Sequence, residues 1–140
     1  MGDDSIYSRP YRGTEPHGFV LEILESQIPV SDHIDWVVVK RNYGPAGIEV
    51  NAVANEREKY LKAITVMFRR KAGYDPDNQD WFWVKYAPNG SVLENPKGRA
   101  VADRVAKGMA KGCIACHSMA PGGDYLFVTD RIQPCPWEWL

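Results

Sequence analysis

Apolar residues along the chain recur with a period of two in four places, which predicts a protein built mainly of β-strands. Phe19, Leu21 and Ile23 alternate with Val20, Glu22 and Leu24. Trp36 to Tyr43 carries a β-branched Val37-Val38-Val39 core, followed by Lys40 and Arg41 and closed by the breaker Gly44-Pro45-Ala46-Gly47. Ile64, Val66 and Phe68 alternate with Thr65, Met67 and Arg69 up to the turn-rich Gly73-Tyr74-Asp75-Pro76-Asp77-Asn78. In the fourth strand Trp81, Trp83 and Lys85 share one face and Phe82, Val84 and Tyr86 the other, and Pro88-Asn89-Gly90 then turns the chain. With aromatic residues on both faces, this strand is expected to be central and covered on both sides.

Two segments depart from that period. Glu49 to Lys62 is open between helix and strand, because Ala and Glu from Ala52 onward favour a helix and the β-branched residues at its start do not. From near Gly98 to Ser118, Val101, Val105 and Met109 recur at every fourth position in register with Cys113 and His117, which predicts a helix. Pro121-Gly122-Gly123 ends it, and Tyr125 to Val128 offers a last short strand. Residues 1–16 mix Gly, Asp, Ser, Arg and Pro without a period and read as an irregular arm, ordered where Tyr7 or Tyr11 finds a packing surface. The fold class expected is α+β: mainly antiparallel β-sheet, with a C-terminal helix bearing the motif described next.

Cys113-Ile114-Ala115-Cys116-His117 sets two thiols three positions apart immediately before an imidazole. This is the pattern of c-type haem attachment: two thioethers to the macrocycle, with the histidine as axial ligand of the iron. The alternative is half of a zinc site, which would need Cys135 and the distant His17 and His33 to complete it. A haem c is attached outside the cytoplasm, so a periplasmic location is expected. The polar, acidic opening Met1-Gly2-Asp3-Asp4 is no signal peptide, so a leader would have been removed.

Composition changes this picture little. The chain has 140 residues, the length of one domain. Its 17 basic and 18 acidic residues nearly cancel without long runs, which argues against a nucleic-acid partner, and no apolar stretch is long enough to span a membrane.

The segment from Ala63 to Arg131 resembles the cytochrome P-460 and cytochrome c′-beta family. The resemblance is carried by Ile64-Thr65-Val66-Met67, Gly73-Tyr74-Asp75-Pro76, Asp80 to Tyr86, the haem motif and Asp124-Tyr125-Leu126-Phe127. The N-terminal half matches through His17-Gly18 and Val37 to Tyr43. The resemblance implies a single domain over residues 17–140, a homodimer, and one five-coordinate haem c per chain. In the P-460 branch it further implies a lysine cross-linked to the macrocycle and oxidation of hydroxylamine to nitrogen oxides, with electrons passed to a soluble acceptor. The c′-beta branch lacks the cross-link and binds nitric oxide in an apolar distal pocket.

Lys40 stands at the position that resembles the cross-linking lysine, with Trp36 and Val38 as face-mates on its strand; a solvated strand-end lysine is the plainer alternative, and Lys85 is its competitor. Phe19, Met67 and Phe68 are the candidates for an apolar distal cap. Hydroxylamine oxidation also needs a proton acceptor, for which Glu22, Glu25 and Glu49 are the carboxylates to consider. An electron-transfer cytochrome would need a methionine as second axial ligand, and Met67 is the only one remote enough, since Met109 and Met119 adjoin the motif. Cys135, between Pro134 and Pro136, is either a buried thiol or an intermolecular disulfide, and Trp137 and Trp139 are expected to pack on the domain or a partner subunit.

Overall fold

The computed structural model describes residues 5–13, 17–30, 32–103 and 116–119. Its frame is one antiparallel sheet: β1 (Ile6–Tyr7), β2 (Tyr11–Arg12), β3 (Val20–Val30), β4 (His33–Tyr43), β5 (Leu61–Arg69) and β6 (Trp81–Tyr86). The strands lie in the order β1-β3-β4-β5-β6, with β2 also paired to β3. The centre is long and regular, since β3 and β4 pair without interruption from Val20 opposite Tyr43 to Val30 opposite His33. β4 runs on against β5 with one register shift between Asn42 and Tyr43. Between β4 and β5 lie two short helices, α1 (Val50–Asn55) and α2 (Arg57–Tyr60), so the ambiguous Glu49 to Lys62 segment is mostly helical until β5 begins.

Period-two alternation sorts the side chains onto two faces. One face carries Ile23, Val38, Met67, Trp81 and Trp83, a buried cluster that Tyr11 and Val101 pack against. The other carries Val20 and Tyr43, closed at one end by Val53 of α1 with Tyr60 and Leu61 beside it. Glu22 is on this second face. Tyr43 Oη–H donates to its carboxylate at 2.5 Å and Arg57 Nε–H at 2.7 Å, so the buried charge is matched on both oxygens.

Three expectations are corrected here. The first 16 residues are not irregular throughout, because β1 and β2 extend the sheet along β3, pairing Tyr7 with Leu24 and Tyr11 with Leu21. Among the described strands β6 is not central: it lies at the end of the order, and its outer side is met by the following chain, with Lys85 N–H donating to Val101 O at 2.9 Å and Leu93 N–H donating to Lys85 O at 2.9 Å. The aromatic residues on its two faces reflect packing above and below the sheet, which an edge strand can have as well as a central one. The helix expected from Gly98 does not begin there: Gly98 has φ +70°, and Ala100 and Ala102 form bridges to Glu94 and Val84. Only Cys116 and His117 of the haem motif are described, in helical conformation, and the strand expected at Tyr125 to Val128, Cys135 and the tail tryptophans lie outside the described residues.

Burial, and then the nearby charge of Glu25, pushes the Tyr11 phenol up to about 12. Burial, then the bond to Glu22, does the same for Tyr43. A phenol raised in the folded state lends stability that is complete below the ordinary tyrosine value near 10 and is lost as pH rises through about 12. The buried Tyr11 hydroxyl has no partner among the described residues. Tyr11→Phe is therefore expected to raise stability at pH 7 by up to about 1 kcal/mol and to flatten the loss between pH 10 and 12. Urea unfolding of both proteins at pH 7 and pH 11.5 checks it; a destabilised variant at pH 7 would show that the hydroxyl has a partner after all.

Candidate functional site

The clustered face of the sheet carries the chemistry. Val38, Lys40 and Asn42 of β4, Ala63, Thr65 and Met67 of β5, and Trp83 and Lys85 of β6 project from it, as their registers require. Lys40 is flanked by Ile23 on β3 and Thr65 on β5. Above them sits His117, which is 5 % exposed, its ring 4.9 Å from that of Trp83 and steeply inclined to it at 64°. His117 closes a crevice floored by Val38, Lys40, Thr65, Met67 and Trp83 and walled on the other side by His17. The His17 and His117 ring centroids are 6.1 Å apart with planes at 83°.

Gly18 explains how His17 reaches this point. Its φ of +121° belongs to glycine, and a Cβ there would stand 3.0 Å from Tyr43 O. The chain thus turns tightly over the end of β4, with Phe19 N–H donating to Tyr43 O at 3.2 Å. Gly18→Ala is expected to displace His17 and lower stability by about 1–2 kcal/mol, read from thermal unfolding; an unchanged midpoint would refute the constraint. Burial first, then the positive charges of Lys40, His117 and Lys85, holds the His17 pKa well below the usual histidine range. On its far side His17 borders a second hollow, a groove of about 230 Å³ that includes Phe19, Ala46, Lys62, Ala63 and Lys85.

Comparison with protein-family models, curated proteins and solved structures finds no match. The site therefore rests on its own geometry.

Of the residues singled out from sequence, Lys40, Met67 and His117 meet in the crevice, and Phe19 lines the adjoining groove, 37 % exposed. Phe68 does not join them. It is one residue out of phase with Met67, projects from the opposite face, and packs on Phe82 with ring centroids 4.9 Å apart. Lys85 lines the groove and not the crevice. Glu22 is on the wrong face and bound by Tyr43 and Arg57, while Glu49 is exposed beside Arg12. Glu25 shares the site's face but stands opposite Val38 and Ile6, away from the crevice lining. Met119 is 51 % exposed. Cys113 lies outside the described residues, and Cys116 is engaged in a disulfide. His33 stands with Asp32 and Asp35, at the far end of β4 from Tyr43. Among the described residues no three His, Cys, Asp or Glu side chains converge to hold a metal ion.

The residues present fit the group that the Cys-His motif implies in kind, though not in volume. His117 is a buried imidazole adjoining Cys116, with the apolar Val38 and Met67 beside Lys40, Thr65 and His17 in the wall around it. Trp83, 2 % exposed, has a buried indole N–H with no acceptor among the described residues, an arrangement that costs about 1–3 kcal/mol unless something supplies one. A carboxylate at the rim of a bound macrocycle is an acceptor of the right kind. The crevice itself measures about 10 Å³, room for one water. A cofactor pocket takes several hundred. Loading would have to part His117 and His17 from each other, and the Cys116 disulfide would have to be reduced first, since one sulfur cannot hold both a disulfide and a thioether.

Proposed function

We propose that the chain is a haem c protein that oxidises hydroxylamine, with Cys113 and Cys116 holding the haem, His117 as axial ligand and Lys40 linked to the macrocycle. The observation that carries this reading is the meeting at one crevice of Lys40, His117 and a Trp83 N–H that has no acceptor among the described residues, over the apolar floor of Val38 and Met67. When bound, the haem would supply an iron that takes up hydroxylamine and accepts its electrons, to be passed to a soluble acceptor in the periplasm. The protein's part is to hold and orient. His117 is fixed by the Trp83 ring against one side. Val38 and Met67 keep water from the crevice floor, which strengthens every charge interaction above it. The register opposite Ile23 and Thr65 fixes where the Lys40 backbone stands beneath the crevice, and its flexible stem lets the amine reach across what enters it.

One observation favours nitric oxide binding instead. No carboxylate is among the described residues lining the crevice, so the acid-base group that hydroxylamine oxidation calls for is not one of the glutamates considered from sequence. A site without such a carboxylate suits an uncharged gas.

Intact mass under denaturing conditions, together with the ferrous absorption spectrum, decides between them. A red-shifted Soret band, and a mass below chain plus haem by the hydrogens lost when a C–N bond forms, support the lysine link and the oxidase. A plain additive mass with an ordinary haem c spectrum leaves the gas-binding reading. A chain without haem in its native compartment overturns both. Cys116→Ser is expected to lose one of the two thioethers, shifting the pyridine haemochrome band; an unchanged band would remove Cys116 from attachment.

A further inference from the structure

On the far side of His17 from the crevice, the groove of about 230 Å³ is bordered by two ammonium groups. Lys85 comes from β6 and is half-buried. Lys62 enters at the start of β5 with its stem laid against Gly44, where an added Cβ would stand 3.2 Å from Lys62 Cγ. No carboxylate lines the groove among the described residues. Two cations at one hollow with no anion beside them favour a ligand that brings a negative charge.

Asn42 adds a second requirement. It is 3 % exposed, its Nδ2–H donates to Thr65 Oγ1 at 2.8 Å, and its Oδ1 is buried with no hydrogen-bond partner among the described residues. Thr65 lines the crevice and not the groove, whereas Asn42 lines the groove and not the crevice. With the amide nitrogen turned to the crevice side, the oxygen is left toward the groove, and the broad torsion at the end of an asparagine lets it tip into the hollow. A buried acceptor in that state costs stability until a donor reaches it. Phe19, Ala46 and Ala63 complete the lining with apolar surface.

We propose that the groove binds a short α-hydroxycarboxylate, with its carboxylate held by Lys62 and Lys85 and its hydroxyl donating to Asn42 Oδ1. An amino acid suits the groove less well, because its ammonium would be a third cation there. A plain short acid leaves Asn42 Oδ1 unmet. The site is separate from the haem reading, since it uses neither Cys116 nor His117 and is present whether or not the chain carries haem. Because His17 walls both hollows, an occupant of the groove also braces one wall of the crevice.

Lactate and propionate, alike in charge and differing by one hydroxyl, are the probes. Each is titrated into the purified full chain and followed by amide NMR spectra. Lactate should move the signals of Gly18, Asn42, Gly44 and Ala63 and leave those of Ile34 and Trp36, at the far end of β4, in place. Propionate should bind about tenfold more weakly, the difference that one hydrogen bond makes. Lys62→Gln, a change at an exposed side chain, should weaken lactate about tenfold and lessen the salt dependence of its binding. Asn42→Leu, similar in volume, should lose the preference for lactate over propionate. Equal binding of the two acids by the unaltered protein would overturn the proposal, as would lactate binding unchanged in Lys62→Gln. Groove signals that stay still at lactate concentrations well above millimolar would overturn it too.

Discussion

Truncating Trp83 to alanine is expected to destabilise the protein by about 3–5 kcal/mol, the range for removing a buried aromatic from a core. The residue is 2 % exposed on an edge strand and packs with Val38, Met67 and Trp81 below, and its ring supports His117 above. That loss is a large part of the 5–15 kcal/mol by which domains of this kind are stable, so the variant should unfold at a markedly lower urea concentration. Trp83→Phe separates two contributions. It keeps most of the apolar surface and removes a buried N–H that has no acceptor within the described protein. Without haem the phenylalanine variant should lose far less stability than the alanine variant. With haem present, its deficit should grow, because the bound macrocycle then loses a donor. A deficit equal in both states would mean that the indole N–H meets nothing on the cofactor.

If the proposed function holds, Lys40→Met is expected to abolish hydroxylamine oxidation while the protein still folds and still takes up haem. Methionine is close to lysine in length and suits the neighbours Ile23, Val38 and Met67, so the sheet should tolerate it within about 1.5 kcal/mol. Its thioether has no N–H to replace with a bond to carbon, so the mass should become additive and the Soret band ordinary. Lys40→Arg should not rescue the activity, since a guanidinium is a far weaker nucleophile and its planar fork differs in shape from an amine. Turnover measured with a soluble electron acceptor would decide it, and turnover at the wild-type rate in Lys40→Met would remove the cross-link from the mechanism.

Much of the sheet was legible because strand periodicity is a local property. Trp81 to Tyr86 is a strand as written in its alternation, and the breaker after Tyr43 ends β4 where it stands. What could not be read was position within the sheet. β6 has aromatic residues on both faces, which fits a central strand as well as an edge strand whose faces are covered, and only the pairing order distinguishes them. Met67 and Phe68 show the same limit at one residue's resolution: both are large and apolar, and the crevice selects Met67 only because Lys40 and Trp83 fall in its phase. Glu22 was a fair candidate for a distal acid until its phase placed it with Tyr43 and Arg57. His17 carried almost no signal. The glycine after it marked a turn, but nothing in the sequence said that the turn would carry an imidazole across β4 to within 6.1 Å of His117, a hundred residues on.

The covering of β6 has a temporal consequence. β3, β4 and β5 are locked by long ladders, whereas the chain after β6 is clasped to it by isolated bridges at Val92 and Ala102 and by a few backbone bonds around Leu93 and Val101. Among the described residues, a segment held by isolated bridges in place of long ladders opens at a smaller free energy than the ladders do. Amide hydrogens from Val92 to Ala102 are accordingly expected to exchange far sooner than those of β4. The sheet is in that sense finished before its last segment is fastened, and the stretch that leads to Cys116 can come away and return while the scaffold beneath keeps its shape.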